Sequence, residues 1–538
     1  MKETVTRPWE ADPSKLNKFE LLKLERDGLD IIEKIKEVAS QGYDAFSEDD
    51  LTFFKWAGVY EQKPKGCGFF MMRVRIPSGL LTSEQVRTLA TISRMYGRDL
   101  VDVTTRQAVQ FHWLTAESLP DIFTRLEKVG MFSYEACGDV PRTIMGNPLA
   151  GIDRDELFDT TAIAHELEQF FLLNREFSNL PRKYKVSISA NIYNSGHAEI
   201  NDLAFTPASK VIGGEEALGF HVWVGGGLSA KPFLAQQLDL FVKQDEVIKV
   251  AEGVTRIFRD YGYREKRTHA RLKFLVADWG AETFREKLLE LIGPMESRGT
   301  DRIVGWNAGY FTGVHKQKDG LNYVGLLLPV GRLSADEFEQ VADLADRYGN
   351  GAVRTCNSQN LLIPNIADEK LDSLLAEPLL KRLTPFPRSF IGHAVSCTGN
   401  EFCNLAIVET KARVVQIATW LDENVEIDTP IRLHAIGCPN SCGQQQIADI
   451  GLQGALVKTA DGMADAFDIH VGGSLGPDAA FNKRLKGRVL GERVAPVLGS
   501  LIEYYKANKQ PGEKFHQFVR RVGHEAFQEQ LDQILQTV

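Results

Sequence analysis

The side chains best suited to chemistry in this sequence are four cysteines near its C-terminal end. They lie in two stretches, Ser396-Cys-Thr-Gly-Asn-Glu-Phe-Cys403 and Gly437-Cys-Pro-Asn-Ser-Cys-Gly443, at spacings of six and four positions (403 − 397 = 6; 442 − 438 = 4). Four thiolates brought together in this way can hold an iron–sulfur cluster. Zinc also takes four thiolates, but its structural sites usually use spacings of about C-x2–4-C, which the first pair fits poorly. The spacing therefore favours an iron–sulfur cluster, and a zinc site or unrelated buried thiols are the alternatives.

Basic side chains form the second group of candidates. Strand alternation would place Arg73 and Arg75 on one face, and Lys183 and Lys185 on another. Such pairs are usually solvated strand faces. An arginine fork matches a carboxylate, and a lysine supplies a compact charge and a proton, so the same residues could also line a pocket for anions.

The contexts of the cysteines, C-T-G-x-x-F-C and G-C-P-N-S-C-G, closely resemble those of the ferredoxin-dependent nitrite and sulfite reductase family. Further matches run from about Trp56 to the C-terminus. In that family four cysteines bind a [4Fe–4S] cluster, and the last one also bridges to the iron of a sirohaem. The resemblance implies that the cluster is held by Cys397, Cys403, Cys438 and Cys442, and that Cys442 is the bridge.

The resemblance also implies roles for basic and polar residues, because sirohaem carries many carboxylates and the substrate is a small oxyanion. The residues implied to face the open side of the iron, and so to be catalytic, are Arg73, Arg142, Lys183 and Lys185. The residues implied to bind the carboxylates of the macrocycle are Arg106, Gln110 and Lys273. Arg75 could take the place of Arg73, since one sequence does not fix the strand register.

The implied reaction is the six-electron reduction of sulfite to sulfide or of nitrite to ammonia, with Lys183 and Lys185 as proton donors. The nitrite branch of the family typically has asparagine where this chain has Lys185, and a second lysine suits the more highly charged sulfite. The segments Cys397-Thr-Gly-Asn and Glu409-Thr-Lys411 look more like the nitrite branch. Sulfite is the favoured substrate, nitrite is the alternative, and a zinc-stabilised repeat scaffold without catalysis is a remote one.

The electron donor is expected to be a separate small carrier such as ferredoxin, because the chain has no G-x-G-x-x-G unit for a nucleotide. Ferredoxins are acidic, and the run Lys483-Arg-Leu-Lys-Gly-Arg488 is locally basic, although an exposed face explains it equally well. Tyr60 and Cys137 each precede a pocket motif, and some sulfite-reducing relatives pair a tyrosine with a cysteine beside the haem. Separate packing of these two residues is the simpler interpretation.

Composition limits the class of protein. The chain has 538 residues, 43% of them hydrophobic and 25% charged, which is typical of a globular protein with two or three domains. A net charge of −9 argues against general nucleic-acid binding. No apolar run approaches the roughly 20 residues of a membrane span. The chain opens Met-Lys-Glu-Thr-Val-Thr-Arg without an apolar stretch behind it. We therefore expect a cytoplasmic location and no disulfides.

The elements that position these residues are repeated within the chain. Seven residues from Pro77 to Gln107 recur from Pro329 to Gln359 at a constant shift of 252 (329 − 77 = 252). Six from Ile200 to Leu228 recur at a shift of 247 (447 − 200 = 247). The glycines of Val224-Gly-Gly-Gly-Leu228 belong to the second repeat, which favours a structural turn over a phosphate loop. The sequence is therefore an internal duplication, and its cluster cysteines occur only in the second copy.

The predicted fold is α+β and internally duplicated, with three domains around one sirohaem–[4Fe–4S] centre. Residues 1–55 are expected to form a helical arm, with Leu21, Leu24 and Ile31 among its recurring apolar positions. The resemblance implies that residues 56–130 and 315–385 form paired ferredoxin-like half-domains. Residues 131–314 would form a first α+β domain that binds sirohaem, and 386–538 a second that carries the cysteines.

Overall fold

The computed structural model describes residues 12–308, 310–460 and 462–537, which form helices and sheets in alternation. The helices are α1 Lys18–Glu25, α2 Asp30–Val38, α3 Glu48–Phe53, α4 Ser83–Tyr96, α5 Leu119–Lys128, α6 Thr161–Phe171, α7 Val247–Tyr261, α8 Leu272–Ile292, α9 Ala335–Tyr348, α10 Asp368–Leu375, α11 Lys411–Asn424, α12 Val494–Asn508, α13 Phe515–Val522 and α14 His524–Thr537. None of the helices in these ranges has the length and apolar character needed to span a bilayer.

The strands range from two residues to ten in length. They are β1 Val59–Glu61, β2 Phe70–Val74, β3 Leu80–Thr82, β4 Leu100–Val103, β5 Val109–Leu114, β6 Met145–Gly146, β7 Val186–Ile188, β8 Leu203–Ile212, β9 Glu215–Val224, β10 Gln236–Lys243, β11 Thr300–Asp301, β12 Gly313–Lys316, β13 Asn322–Leu326, β14 Arg332–Ser334, β15 Ala352–Thr355, β16 Leu361–Ile366, β17 Ala394–Ser396, β18 Leu433–Ile436, β19 Ile450–Thr459, β20 Gly462–Val471 and β21 Lys483–Leu490.

Two of the sheets exchange a strand. Their orders are β1-β2-β5-β4-β14 and β12-β13-β16-β15-β3, so β14 of the second copy completes the first sheet and β3 of the first copy completes the second. Both exchanged strands pair antiparallel with their hosts. The helices that follow them, α4 and α9, begin at capping boxes formed by Thr82 and Ser334 and pack against each other. We call this unit the shared domain.

Each remaining sheet begins with parallel strands and ends with antiparallel ones. The first large domain has the order β10-β9-β8-β7-β6, and the second large domain has β17-β18-β19-β20-β21. In both, the first three strands along the chain run parallel. The parallel strands end at one edge of each sheet, and this edge carries the loops of the site described below.

Both predicted repeats are present in the elements. The starts of α4 and α9, and those of β4 and β15, are related by the same shift of 252 (335 − 83 = 252; 352 − 100 = 252). The starts of α7 and α12, and those of β8 and β19, are related by the shift of 247 (494 − 247 = 247; 450 − 203 = 247). The internal duplication read from the sequence is confirmed.

The Val224–Leu228 stretch is a turn shared by both copies, as the repeat predicts. Gly225 and its counterpart Gly472 have φ angles of +77° and +93°, which favour glycine. Their backbone N–H groups donate to the carbonyl oxygens of Asp202 and Asp449, at 2.9 Å in each case. The turn is therefore a structural feature of the fold.

The N-terminal arm differs in part from its prediction. In α2 the apolar residues Ile31, Ile32 and Ile35 are buried in the core of the shared domain, as predicted. In α1, by contrast, Leu21 and Leu24 are exposed. The inward face of α1 carries charged residues, which the apolar spacing could not reveal. Residues 1–11 of the predicted arm lie outside the described ranges.

Candidate active site

The four cysteines of the two motifs line one cavity. Cys397 directly follows β17, and Cys438 lies two residues after β18. These strands pair in parallel, with Ser396 opposite Ala435. Because the carboxyl ends of parallel strands meet at the same edge of a sheet, the two cysteine loops lie side by side.

At least three of the four cysteines are protonated thiols before a metal binds. The backbone N–H of Gly437 donates to Cys397 Sγ at 3.2 Å. Burial raises the pKa of the Cys397 thiol to about 11 and also raises the pKa values of Cys403 and Cys438, so these thiols hold their protons at neutral pH until a metal displaces them. Cys442 is the most exposed of the four.

A [4Fe–4S] cluster and a zinc ion place different demands on four cysteines. In the described part of the chain, no three cysteine, histidine or carboxylate side chains are grouped closely enough to hold a single metal ion. A four-thiolate zinc site needs every sulfur within about 2.3 Å of one ion. A [4Fe–4S] cluster instead spreads its four thiolates over four irons.

The same cavity is lined by cations, most of which lack a carboxylate partner. Lys411 is the exception, since it lies 3.4 Å from Asp102. The other five form no ion pair with a carboxylate within the described ranges, in contrast to buried arginines elsewhere such as Arg264 and Arg271. So many unneutralised charges repel one another in a partly dry cavity, which is therefore suited to a ligand with several negative charges. The five are Arg73, Arg106, Arg142, Lys183 and Lys185.

The pKa values of these cations reflect that crowding. Burial, and next the charge of Arg142, lowers the pKa of Arg106 to about 9. Burial also lowers the pKa values of both lysines, helped by Arg271 for Lys183 and by Arg106 for Lys185. A bound anion would reverse these shifts, because it favours the charged forms.

Backbone carbonyls hold two of the guanidinium groups in place. Arg142 donates to the carbonyl oxygens of Ala136 at 3.0 Å and Gly138 at 2.7 Å. Arg106 donates to Asn201 Oδ1 at 2.8 Å and to the carbonyl oxygen of Thr143 at 3.1 Å. The Nε atoms of Arg73 and Arg106 are buried without a partner among the described residues. Carboxylates of a macrocycle would supply such acceptors, so the residues present fit a sirohaem.

The predicted shared face of Arg73 and Arg75 is wrong. Arg73 lies on β2 and lines the cavity, whereas Arg75 lies beyond the end of that strand. Arg75 forms a buried ion pair with Glu168 and also donates to the carbonyl oxygen of Pro141 at 3.4 Å. The end of the strand at Val74 breaks the alternation, so the choice between the two arginines falls on Arg73.

Two other predicted residues differ in placement. Gln110 lines the cavity, where its Nε2 lies 2.9 Å from Met71 Sδ. Lys273 does not line it. Its ammonium donates to the carbonyl oxygens of Leu228 at 2.8 Å and Gly227 at 3.4 Å, and burial lowers its pKa to about 7. Lys273 is therefore held by the turn carbonyls, away from the lining of the cavity, and its role in binding the macrocycle stays a prediction.

The basic run from Lys483 to Arg488 is remote from the cysteines. It forms β21, the edge strand opposite β17 in the sheet of the second large domain. Arg484 pairs with Asp468 at 2.9 Å, and Arg488 lies 3.6 Å from the same carboxylate. The simpler interpretation, an exposed strand face, is the one that the structure favours.

Sequence reasoning missed a buried charged group beneath the first cysteine loop. Asp102 accepts from Arg332 at 2.9 Å and lies 3.0 Å from His112, whose ring stacks on Phe402 with a centroid separation of 3.8 Å. Lys411 completes the group against the same carboxylate. The segment around Lys411 stood out as a motif, but Asp102 gave no sequence signal.

Tyr60 and Cys137 are neighbours beside this cavity. Arg73 Nη1 lies 3.7 Å from Cys137 Sγ, and its Cζ lies 6.0 Å from the centre of the Tyr60 ring. Burial, and next the Cys137 sulfur, raises the pKa of Tyr60 to about 12. The weaker of the two sequence interpretations, a tyrosine and cysteine placed together, therefore matches their positions, and a covalent link stays a prediction.

The first copy has a polar counterpart of the cysteine site. Gly146 pairs with Ile188 as Ser396 pairs with Ala435, which sets a local shift of 250 for the first loop and keeps 247 for the second (396 − 146 = 250; 435 − 188 = 247). At these shifts the counterparts of the four cysteines are Asn147, Asp153, Asn191 and Ser195.

Three of these four residues are joined directly by hydrogen bonds. Asn147 and Asn191 donate to the same oxygen of Asp153, at 2.5 and 2.7 Å. The counterpart of Lys185 is Arg432 (432 − 185 = 247), which is neutralised by Asp449 at 2.7 Å. The cation at this position of the first copy, Lys185, has no carboxylate partner among the described residues, whereas its counterpart in the second copy, Arg432, is neutralised within the protein.

Comparisons with known proteins agree with this site. A family model described as the nitrite and sulphite reductase 4Fe-4S domain matches residues 137–293 and 389–537. A second, the nitrite/sulfite reductase ferredoxin-like half domain, matches residues 61–129 and 315–380. Together the two models account for most of the chain and for its duplication.

Similar proteins include both branches. A ferredoxin–nitrite reductase of Synechococcus elongatus is 42% identical, covering 91% of this chain and 97% of that protein. A ferredoxin-dependent sulfite reductase of Mycolicibacterium paratuberculosis is 37% identical, covering 96% of each chain. The solved structure of the Mycobacterium tuberculosis NirA protein superposes with a TM-score of 0.91 at 37% identity, covering 96% of this chain and 98% of that one. The chain belongs to the nitrite and sulphite reductase family.

Proposed function

We propose that this enzyme takes electrons from reduced ferredoxin and uses them for the six-electron reduction of sulfite to sulfide. The main support is that four cysteines and five cations without a carboxylate partner among the described residues line the same cavity. The family is that of ferredoxin-dependent oxidoreductases with a sirohaem and a [4Fe–4S] cluster. When bound, these two groups supply electrons one at a time to the anion.

Four cysteines would hold the cluster, namely Cys397, Cys403, Cys438 and Cys442. Cys442 is the best candidate for the bridge, because it is the most exposed of the four and lines the cavity. Arg106 and Gln110 would bind the carboxylates of the macrocycle. Their positions support this, since Arg106 is held rigidly by carbonyls yet has an unpartnered Nε among the described residues.

Arg73, Arg142, Lys183 and Lys185 would bind and orient the anion. Arg142 contributes a guanidinium fixed by two carbonyls, so it loses little entropy when it stabilises negative charge. Each oxygen that leaves the substrate needs protons. Burial and crowding lower the pKa values of Lys183 and Lys185, and a bound anion would favour their ammonium forms, so each Nζ would carry a proton for a departing oxygen.

Two observations support sulfite over nitrite. Lys183 and Lys185 both line the cavity, so two ammonium groups can meet one anion, and attraction grows with the charge of that anion. Tyr60 and Cys137 lie together beside Arg73, which is the pairing expected from the resemblance to sulfite-reducing relatives. Nitrite is the second candidate, because the Synechococcus elongatus relative at 42% identity is named a nitrite reductase.

The test is to load the full chain with both cofactors and compare kcat/KM for sulfite and nitrite with the same reduced ferredoxin. We expect a visible absorption spectrum typical of a sirohaem, and the higher kcat/KM with sulfite. A higher value with nitrite would assign the enzyme to the second candidate, and a colourless protein without iron would exclude both.

A matched pair of variants tests the bridge. Cys442→Ser should abolish six-electron turnover, because serine is a poor ligand for two metal centres. Cys67→Ser should keep it, since Cys67 is exposed and does not line the cavity. Full activity of Cys442→Ser would refute the assignment.

A further inference from the structure

The inward face of α1 is charged, which is unusual for a short helix packed on a domain. Glu20 and Lys23 are 2% and 6% exposed, whereas the apolar Leu21 and Leu24 are 40% and 44% exposed. Burying a charged pair is costly unless partners satisfy it. The partners of Glu20 and Lys23 show which segments of the protein α1 contacts.

Lys23 reaches the segment that carries the catalytic lysines. Its Nζ donates to the carbonyl oxygen of Leu180 at 2.8 Å, three positions before Lys183. The same ammonium lies 2.7 Å from Glu20 and 3.5 Å from Asp139. A single buried cation thus joins the arm to two segments of the first large domain.

Asp139 extends this contact toward the cavity. It accepts from Arg267 at 2.8 Å and from Arg182 at 3.3 Å, and its carbonyl oxygen accepts from the backbone of Leu180 at 2.9 Å. Glu20 is held in turn by Arg264 at 2.6 Å. The chain from Leu180 to Arg182 is therefore fixed on both sides immediately before Lys183.

Backbone hydrogen bonds continue from this segment to the anion-binding arginine. The backbone N–H of Tyr184 donates to the carbonyl oxygen of Val140 at 3.1 Å, and that of Arg142 donates to the carbonyl oxygen of Tyr184 at 2.8 Å. A displacement of the Leu180 segment would therefore move both Lys183 and Arg142.

Trp56, the residue that directly follows the arm, lies against the backbone that supplies the acceptors of Arg142. Trp56 Nε1 donates to the carbonyl oxygen of Ser178 at 2.8 Å, and its own carbonyl accepts from the backbone of Glu135 at 2.6 Å. A Cβ at Gly138 would come within 3.1 Å of the Trp56 ring, so the ring lies against the backbone that holds Arg142.

We propose that the N-terminal arm positions the substrate-binding residues of the cavity, and that Lys23 is the positioning residue that sets the place of Lys183. The inference rests on the proposed reaction of a small anion at this cavity. Lys23 itself does not line the cavity, so it acts through the Leu180 carbonyl and Asp139.

The experiment compares Lys23→Met with Lys18→Met in the full-length, cofactor-loaded enzyme. Both substitutions remove an ammonium from α1, but Lys18 is exposed. We expect Lys23→Met to raise KM for the anion about tenfold with less than a twofold change in kcat, and to leave the sirohaem content unchanged. Lys18→Met should match the wild type. An unchanged KM in Lys23→Met, with only a lower melting temperature, would show that the arm merely stabilises the fold.

Lys23→Gln is the second variant, in case the methionine variant does not fold. Its amide is shorter and uncharged, so it loses the ion pairs with Glu20 and Asp139, and KM should rise, though by less than the tenfold expected for methionine. A KM equal to that of the wild type would contradict the proposal.

A measurement independent of turnover separates this inference from the proposed function. Hydrogen exchange in the peptide covering residues 179–186 should be faster in the Lys23 variants and unchanged in Lys18→Met. If the wild type reduces neither anion, the proposed function fails, while the exchange result still decides whether Lys23 holds this segment. Unchanged exchange would overturn the positioning role.

Discussion

Thr105 Oγ1 donates a hydrogen bond to the carbonyl oxygen of Cys442 at 2.9 Å, which joins the first copy of the duplication to the last cysteine of the second. Gln444, two residues further on, forms a second contact, since its Nε2 donates to the carbonyl oxygen of Thr105 at 3.5 Å. The loop that carries Cys442 is therefore fixed by a residue more than three hundred positions away in the chain (442 − 105 = 337).

Thr105→Val should loosen the Cys442 loop. The valine has the same shape but leaves the Cys442 carbonyl without this donor, at a cost of about 1–2 kcal/mol. We expect the cluster to be lost several times faster on exposure to an iron chelator, measured by the decay of its visible absorption. Thr124→Val, which removes the exposed hydroxyl bond to Pro120, should leave the rate unchanged. Equal rates for both variants would show that the contact does not support the cluster.

Glu135→Gln should stabilise the protein at alkaline pH. Burial raises the pKa of Glu135 to about 7, and one of its oxygens has no partner among the described residues. The folded state therefore binds more protons than the unfolded state, and the free energy of unfolding falls as pH rises from about 4.5 to 7. The variant should gain up to about 3 kcal/mol at pH 8 and almost nothing at pH 4.

The measurement is the denaturant midpoint of wild type and variant at several pH values. Glu33→Gln serves as the control, because Glu33 is exposed on α2. A gain for Glu135→Gln that did not depend on pH would contradict the sign of the shift.

Asp153→Ala should destabilise the first large domain without affecting the cluster. Asp153 accepts from Asn147, Asn191 and the backbone of Asp155, so its removal leaves buried donors unpaired and should cost about 2–4 kcal/mol. Iron content should stay at the wild-type value. The exposed Asp155→Ala is the matched control. Loss of iron in Asp153→Ala would show that the polar counterpart and the cysteine site are coupled.

The Lys185→Asn variant should have a lower kcat/KM for sulfite and a smaller change in kcat/KM for nitrite. Loss of a charge-assisted hydrogen bond worth about 1–3 kcal/mol lowers kcat/KM for sulfite by roughly ten- to a hundredfold. Nitrite carries a single charge, so its kcat/KM should change less or improve. Lys266→Asn, at an exposed position, controls for loss of a positive charge. An equal loss on both anions would make Lys185 a general proton donor and remove the support for sulfite.

Much of this site could be predicted because its signals are local in the sequence. The cysteine motifs predict four side chains that the structure brings to one cavity, and the constant shifts reveal the duplication. The contacts of Arg75 could not be predicted, since its partner Glu168 is far away in sequence and β2 ends at Val74. The contacts of Lys273 could not be predicted either, because a motif shows a residue's neighbours in sequence but not the carbonyl groups that its side chain meets in the fold.

The charged group at Asp102 was missed for a different reason. Its partners Arg332 and Lys411 come from the other copy and are recognisable only after the chain has folded. The exchange of β3 and β14 is hidden in the same way, because each strand has the same pattern whichever sheet it joins.

The exchange of β3 and β14 also has a consequence for biosynthesis. Leu81 of β3 pairs with Val353 of β15, a separation of 272 positions (353 − 81 = 272). At roughly 5–20 residues per second of translation, β3 waits on the order of tens of seconds for its partner to be made. Contacts so distant in sequence slow folding, and an unpaired strand is open to association with other chains in the meantime. The first half of the chain is therefore open to such association until β15 has been synthesised, and the cavity, whose lining extends to Cys442, is complete only after that point.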